Sequence, residues 1–192
     1  MKTLFISTYD NLITIALLED KKLIQIKEQQ SMRSHSEYLM PLINEILKEN
    51  NLIAQDLNEI IAINGPGSFT GIRLGITVAK TLAYTLNIPI KLITTIEALG
   101  ISNANLDKKI ITVADPKGKY YGIFENNQLI ETLTYLNDSS FEDFLKENTD
   151  LLIISEQKLD IEKICTYLEN QLAINPHSVK PIYIKQIEVQ NG

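Results

Sequence analysis

The loop Gly65-Pro66-Gly67-Ser68-Phe69-Thr70-Gly71 stands between the apolar run Ile60-Ile61-Ala62-Ile63 and a helical pattern opening at Ile72. Its glycines permit positive φ and close backbone approach, and Ser68 or Thr70 can cap the first helical N–H groups. A strand, a glycine-rich turn and a helix start can together hold an anion. This is not a P-loop, because no Lys-Ser/Thr pair closes it to clamp a phosphate. Its spacing does not fit the dinucleotide fingerprint either. The residues leave two uses open, a tight strand-to-helix connection and a ligand site, and favour the first.

Other reactive side chains are sparse. Asp10 lies in the turn of Ile6-Ser7-Thr8-Tyr9-Asp10-Asn11, and Asp115 opens Asp115-Pro116-Lys117-Gly118. Turn aspartates are usually satisfied by backbone N–H groups. His35 reads as a helix start and His177 as a surface loop; neither has a histidine at zinc-ligand spacing. No serine sits in a G-x-S-x-G elbow. The single Cys165 falls in a helical pattern, reads as a small buried hydrophobe and cannot form an internal disulfide. The residues thus predict no metal site and no catalytic group.

The chain has 192 residues, 44% hydrophobic and 22% charged, with a formal net charge of −6. That is an ordinary globular composition. No apolar run is long enough to span a membrane, and the N-terminal residues to Asp10 lack a secretory cleavage pattern. A cytoplasmic location is the expectation. An acidic chain without a basic stripe is a poor unaided binder of phosphate backbones, so any nucleic acid is expected to be held by a partner.

Periodicity gives α/β. In the first half, strands are expected at 3–8, 12–18 and 23–28, a helix from His35 to Glu49, a strand from Glu59 to Ile63, and a helix from Thr70 to Leu86 ended by Asn87. In the second half, strands are expected at 110–114, 120–125 and 128–134, with Asn126-Asn127 as a turn. A helix at 140–147, a strand at 151–154 and a helix at 161–172 follow. Both halves spell βββαβα, a repeat of pattern without residue identity. That resembles the duplicated actin-like ATPase (ASKHA) layout, with lobes at residues 1–101 and 102–192, the second shortened, and a boundary in the polar Ser102–Lys109 segment. Nucleotide sites of that layout carry an acidic residue in the first hairpin; here the position holds Ser7, and a hydroxyl cannot replace a carboxylate beside Mg²⁺.

Two helices carry further expectations. Ser34 to Glu37 has capping-box spacing, and Pro41 should bend the helix from His35. In the Thr70–Leu86 helix, Ile72, Ile76, Ala79, Ala83 and Leu86 form one apolar stripe. Leu74, Val78 and Leu82 form a second, while Arg73, Thr77, Lys80, Thr81 and Tyr84 make a wetter strip. Gly71, Gly75, Ala79 and Ala83 recur every four residues, a ridge that admits close approach of another element. The ridge lies either on the chain's own sheet or on a second subunit, and spacing slightly favours the subunit.

Gly65-Pro66-Gly67-Ser68-Phe69-Thr70-Gly71-Ile72-Arg73-Leu74-Gly75 closely resembles the signature of the TsaB (YeaZ-like) family, subunits of the bacterial machinery for threonylcarbamoyladenosine in tRNA. Thr94-Thr95-Ile96-Glu97-Ala98-Leu99, Val113-Ala114-Asp115 with Gly118 and Tyr120 or Tyr121, Pro181-Ile182-Tyr183-Ile184-Lys185, and His35-Ser36 ahead of Leu39, Pro41 and Leu42 are also similar to family segments. The resemblance implies a non-catalytic subunit without cofactor. It would pair with a TsaD-like catalytic subunit for transfer to adenosine 37, together with a TsaE-like ATPase, and touch tRNA only through the complex. A homodimer through the same surface is the alternative occupant. The interface is expected at Leu39, Ile43, Gly71, Ile72, Gly75, Ala79 and Ala83. An ATP-dependent phosphotransferase of the sugar-kinase-like class is the alternative function, and a peptidase role finds no metal-ligand pair.

Overall fold

Leu4, Ile6, Ile13, Ile15 and Leu17 alternate with Phe5, Ala16 and Leu18, and both sets are buried on opposite faces. Strands that are apolar on both sides must be covered on both sides. The computed structural model describes residues 1–31, 35–103, 108–125, 128–154 and 158–182. In it, β1 (Lys2–Ser7), β2 (Leu12–Glu19) and β3 (Lys22–Gln30) form an antiparallel meander. β4 (Glu59–Ile63) and β5 (Ile90–Ile93) join β1 in parallel, giving the order β3-β2-β1-β4-β5. Helices α1 (His35–Glu49) and α2 (Phe69–Leu86) cover the face carrying Leu4 and Ile6. Pro41 falls inside α1 on its exposed side. The capping-box Ser34 lies outside the described residues.

The chain enters α2 through an N-cap, Ser68, whose Oγ accepts from Gly71 N at 3.2 Å, and leaves it at Asn87 in the left-handed conformation. The helix lies almost against β1. A Cβ at Gly71 would meet the Thr8 carbonyl oxygen at 2.2 Å, and one at Gly75 would meet Thr8 Oγ1 at the same distance. The Thr8 hydroxyl donates to the Gly71 carbonyl at 2.8 Å. The small-residue ridge is therefore the seat of the chain's own sheet.

The second sheet runs β8-β7-β6-β9, from β6 (Lys108–Asp115), β7 (Gly118–Glu125), β8 (Gln128–Asn137) and β9 (Leu152–Ile154). It has one described strand fewer than the first. Helix α4 (Asp138–Glu147) covers one face through Phe141 against Tyr121 and Ile123. On the other face lies α3 (Thr95–Ser102), which is buried on nearly every side. Ile96 and Leu99 pack on Ile111, Val113 and Phe124, while Ala98 and Ile101 pack with Phe5, Ile63 and α5 (Ile161–Tyr167). One helix thus cements two sheets, the duplicated actin-like layout with mixed sheets.

Three details differ from the sequence expectation. The first unit reads βββαβαβα, because β5 has four residues and α3 has eight. A helix buried all round shows no amphipathic period, so pattern alone passes over it. Helix α5 stops at Tyr167 rather than Leu172, whose side chain is 92% exposed. Beyond it the chain turns back, bridges Ile174 to Ile90 and buries Val179 in the first lobe's core. The Asn126-Asn127 turn, residues 104–107 of the boundary segment and Tyr183 to Lys185 lie outside the described residues.

Gly75→Val drives two methyls into Thr8. Overpacking of this kind costs about 1–3 kcal/mol, so thermal unfolding of the isolated chain should shift to lower temperature. An unchanged transition would show that α2 can lift from β1.

Candidate partner face and interlobe cleft

The motif loop is tied to its surroundings by its own backbone. Gly65 (φ +111°) and Gly67 (φ +155°) flank the cis Gly65–Pro66 peptide. A Cβ at Gly67 would meet the Tyr9 carbonyl oxygen at 2.1 Å. Ser68 N donates to that carbonyl at 2.6 Å, and Thr95 N donates to Gly65 O at 2.9 Å. Thr95 Oγ1 donates to Pro66 O at 2.6 Å. Just before the loop, Asn64 O accepts from Ile182 N at 2.8 Å. Gly65, Pro66, Gly67 and Ser68 thus form the connection that the residues favoured. Phe69 is exposed at the head of α2, with the Arg73 guanidinium 4.1 Å from its ring centre, and Thr70 is exposed beside it.

The expected interface residues fall inside the chain. Leu39, Ile43, Gly71, Ile72, Gly75, Ala79 and Ala83 are all buried within the chain. They lie between α1, α2 and the first sheet. The second stripe, Leu74, Val78 and Leu82, is half-buried on one flank of α2, packed in part against the same core and beside the exposed Arg73, Thr77 and Thr81. Exposed Tyr84 continues the helix surface and meets His177 edge-on, with centroids 4.8 Å apart. On α1, Tyr38 and Met40 are exposed and Leu42 is half-buried.

Between the lobes lies a cleft of about 730 Å³, lined by the first hairpin, Gly67 and Ser68, α3, β6 and Lys158-Leu159. Of the residues singled out from the sequence, Asp10, Gly67 and Ser68 line it. Sequence reasoning missed Thr14, whose signal was a lone polar residue inside the apolar run of β2, and Glu28, which stands among other polar residues of β3 and carries no such signal. Asp10 Oδ1 accepts from Leu12 N at 2.9 Å, the expected backbone satisfaction. His35 Nε2 lies 2.8 Å from the Asp10 carbonyl oxygen and so holds the turn to α1. Asp115 likewise accepts from Lys117 N at 3.1 Å and from the Tyr135 hydroxyl at 3.3 Å.

Desolvation raises the Asp10 carboxyl above the ordinary carboxylate range; the Leu12 N–H and His35 oppose this, and the Glu28 charge adds to it. Burial also raises the Tyr9 phenol, with the Asp10 charge adding. Burial pushes the Cys165 thiol up, with Glu59 adding, which suits a packing residue. Ser7 puts a hydroxyl where a magnesium–nucleotide site would need a carboxylate. Among the described residues no group of three or more His, Cys, Asp or Glu is placed to share a metal ion.

Fold and cleft define a two-lobed actin-like protein whose first strand ends in Ser7. The chain belongs to the family described as "TsaD: tRNA N6-adenosine threonylcarbamoyltransferase", matched over residues 22–179, and within it to the TsaB (YeaZ-like) branch. It is 35% identical over 134 residues to the tRNA threonylcarbamoyladenosine biosynthesis protein TsaB of Bacillus subtilis, covering 68% of this chain and 58% of that protein. To the protein of that name from Haemophilus influenzae it is 27% identical over 170 residues, covering 88% and 69%. The chain thus spans little more than half of the Bacillus relative's length. YeaZ from Pseudomonas aeruginosa shares the fold, with a TM-score of 0.79 at 16% identity over 95% of this chain and all of that one. No described helix is long and apolar enough to cross a membrane.

The raised Asp10 pKa has a definite sign. The folded chain holds that proton more tightly than the unfolded one, so the stability it adds at low pH is lost as pH climbs through the raised value. Asp10→Asn keeps the acceptor for Leu12 N and removes the charge. It should melt higher than the parent at neutral pH, with the difference vanishing below about pH 4. Asp10→Ala loses the acceptor and should cost about 1 kcal/mol. A parent and Asp10→Asn pair with identical melting at every pH would refute the electrostatic account.

Proposed function

We propose that this chain is a non-catalytic subunit that pairs with a TsaD-like catalytic subunit to support threonylcarbamoyl transfer to adenosine 37 of tRNA. The observation that carries the reading is the half-buried stripe Leu74, Val78 and Leu82 on α2, in a chain of TsaB kinship. The same helix buries its other stripe in the chain's own core, and the part of this one that the core leaves uncovered can meet a second surface. Half-exposed apolar residues beside exposed aromatics are what interface cores are made of. A related protein built on the same lobe is a natural partner for such a face. A second copy of this chain is the competing occupant, and a TsaE-like ATPase would join the resulting pair.

In this reading the two lobes, divided near residue 101, have separate tasks. The first presents α1 and α2 to the partner. The second, joined through α3 and α5, gives the first a rigid support. Transfer chemistry and most of the grip on tRNA belong to the partner, in keeping with a chain of net charge −6. A sugar-kinase-like phosphotransferase would need a carboxylate at Ser7, which this sequence lacks.

Val78→Glu places a charge in the middle of that stripe. Truncation or charge reversal at the heart of an interface typically costs 2 kcal/mol or more, roughly thirtyfold in affinity. Binding to a TsaD-like subunit, read by calorimetry, should fall by about that factor, beyond what any lowering of the melting temperature of the chain alone accounts for. Undiminished binding would move the interface elsewhere.

Depletion of the protein, followed by mass spectrometry of nucleosides from bulk tRNA, tests the pathway itself. Loss of threonylcarbamoyladenosine is the expected outcome. An unchanged level with depletion verified would overturn the assignment.

A further inference from the structure

After α5 the chain crosses back over the first lobe, and residues 169–182 are held there thinly. Val179 is their one buried side chain, seated in the core cluster that contains Ala79, Ala83 and Ile90. Two backbone hydrogen bonds mark the ends of the crossing. Ile174 N donates to Ile90 O at 2.8 Å, and Ile182 N donates to Asn64 O at 2.8 Å. Between them the short 3-10 turn Pro176–Ser178 rests on α2, where Lys80 Nζ donates to His177 O at 3.4 Å. Upstream, Glu169 pairs with Lys21, and its carbonyl accepts from Lys91 Nζ at 3.2 Å. Exposed residues 170–173 separate that fixed point from Ile174. A segment with one buried apolar side chain and exposed backbone bonds is where local opening costs least.

What this segment covers is apolar. β5 is the last strand of the first sheet and carries Ile90, Leu92 and Ile93 within four residues. Among the described residues, its outer side pairs only with Ile174, in one antiparallel bridge. An apolar edge strand with unpaired backbone groups is a template for another chain, and folded proteins blunt such edges by covering them.

We infer that residues 174–182 are a clasp that opens as one unit while both sheets stay folded, and that its closure guards the β5 edge against pairing with another chain. Residues 170–173 are its hinge and Val179 is its wedge. The inference is independent of the proposed tRNA role, since neither α1 nor a partner subunit enters it.

Native-state hydrogen exchange of the full chain tests the unit. The Ile174 and Ile182 amides should share one protection factor, at least about tenfold below that of the β4 amides. Mild denaturant should barely change this opening while it accelerates exchange in β4, because opening exposes little surface. Val179→Ala should lower the protection of both anchors by the same factor of about ten, the scale of two buried carbons. Different factors at the two anchors, or protection equal to that of β4, would overturn the clasp.

Val179→Asp, which cannot reseat the wedge, tests the guard. With β4 protection retained, sedimentation should show species larger than the parent's at equal concentration, growing as concentration rises. If the aspartate variant loses β4 protection, Val179→Ser makes the same comparison. Open anchors with the parent's sedimentation would overturn the guard.

Discussion

The structure turns on a short stretch of backbone, Asn64 to Ser68, which has more attachments than a connection requires. Within it, carbonyls accept from Thr95 at the head of α3 and from Ile182 after the second lobe, and the Ser68 amide donates to Tyr9 in the first hairpin. These bonds fix where α2 begins, where α3 begins, and where the returning chain lies. Two glycines at positive φ make the path sterically open, and Gly67 has no room for a side chain against Tyr9. A sequence this constrained by its own fold reads as a ligand loop only when its backbone groups are left unpaired. Here most of them are used.

From that anchor, two helices acquire different duties. Helix α2 needs small residues because it lies on Thr8, and this closeness sinks Ile72, Ile76, Ala79 and Ala83 into the core. Its remaining apolar side chains cannot be covered by the same sheet and stay half-exposed. Helix α3 has no wet side to spare, since it serves two sheets at once. Lobe geometry therefore depends on α3, and the surface offered to partners depends on α2.

The cleft is shaped by the same economy of faces. The first sheet's α5 face is apolar only as far as α3 and α5 extend over it, and where they end the strands turn polar at Ser7, Thr14 and Glu28. In an actin-like layout this is the place for a nucleotide. Here the rim carries Asp10 and Glu28, with Lys158 on the facing wall. The separation between a core face and a cleft face within one strand is a matter of two residues.

Much was legible without coordinates. Alternation in Leu4–Ile6 and Ile13–Leu18, the Ser68 cap, the Asn87 stop and the turn aspartates are local events, decided by φ preferences and the period of side-chain placement. These determined the second βββαβα unit, the first one up to α2, most element boundaries and the kinship carried by the motif loop. What lay beyond was every decision about neighbours. Spacing put Gly71, Gly75, Ala79 and Ala83 on one ridge but could not say whether Thr8 or another subunit would occupy it. Nor could it bring Glu28 beside Asp10, since strand register is set by pairing between segments distant in sequence. Period and propensity act along the chain, so the sequence alone determined the elements. Contact acts across it, so the core, the half-buried stripe and the cleft were decided only by the tertiary structure.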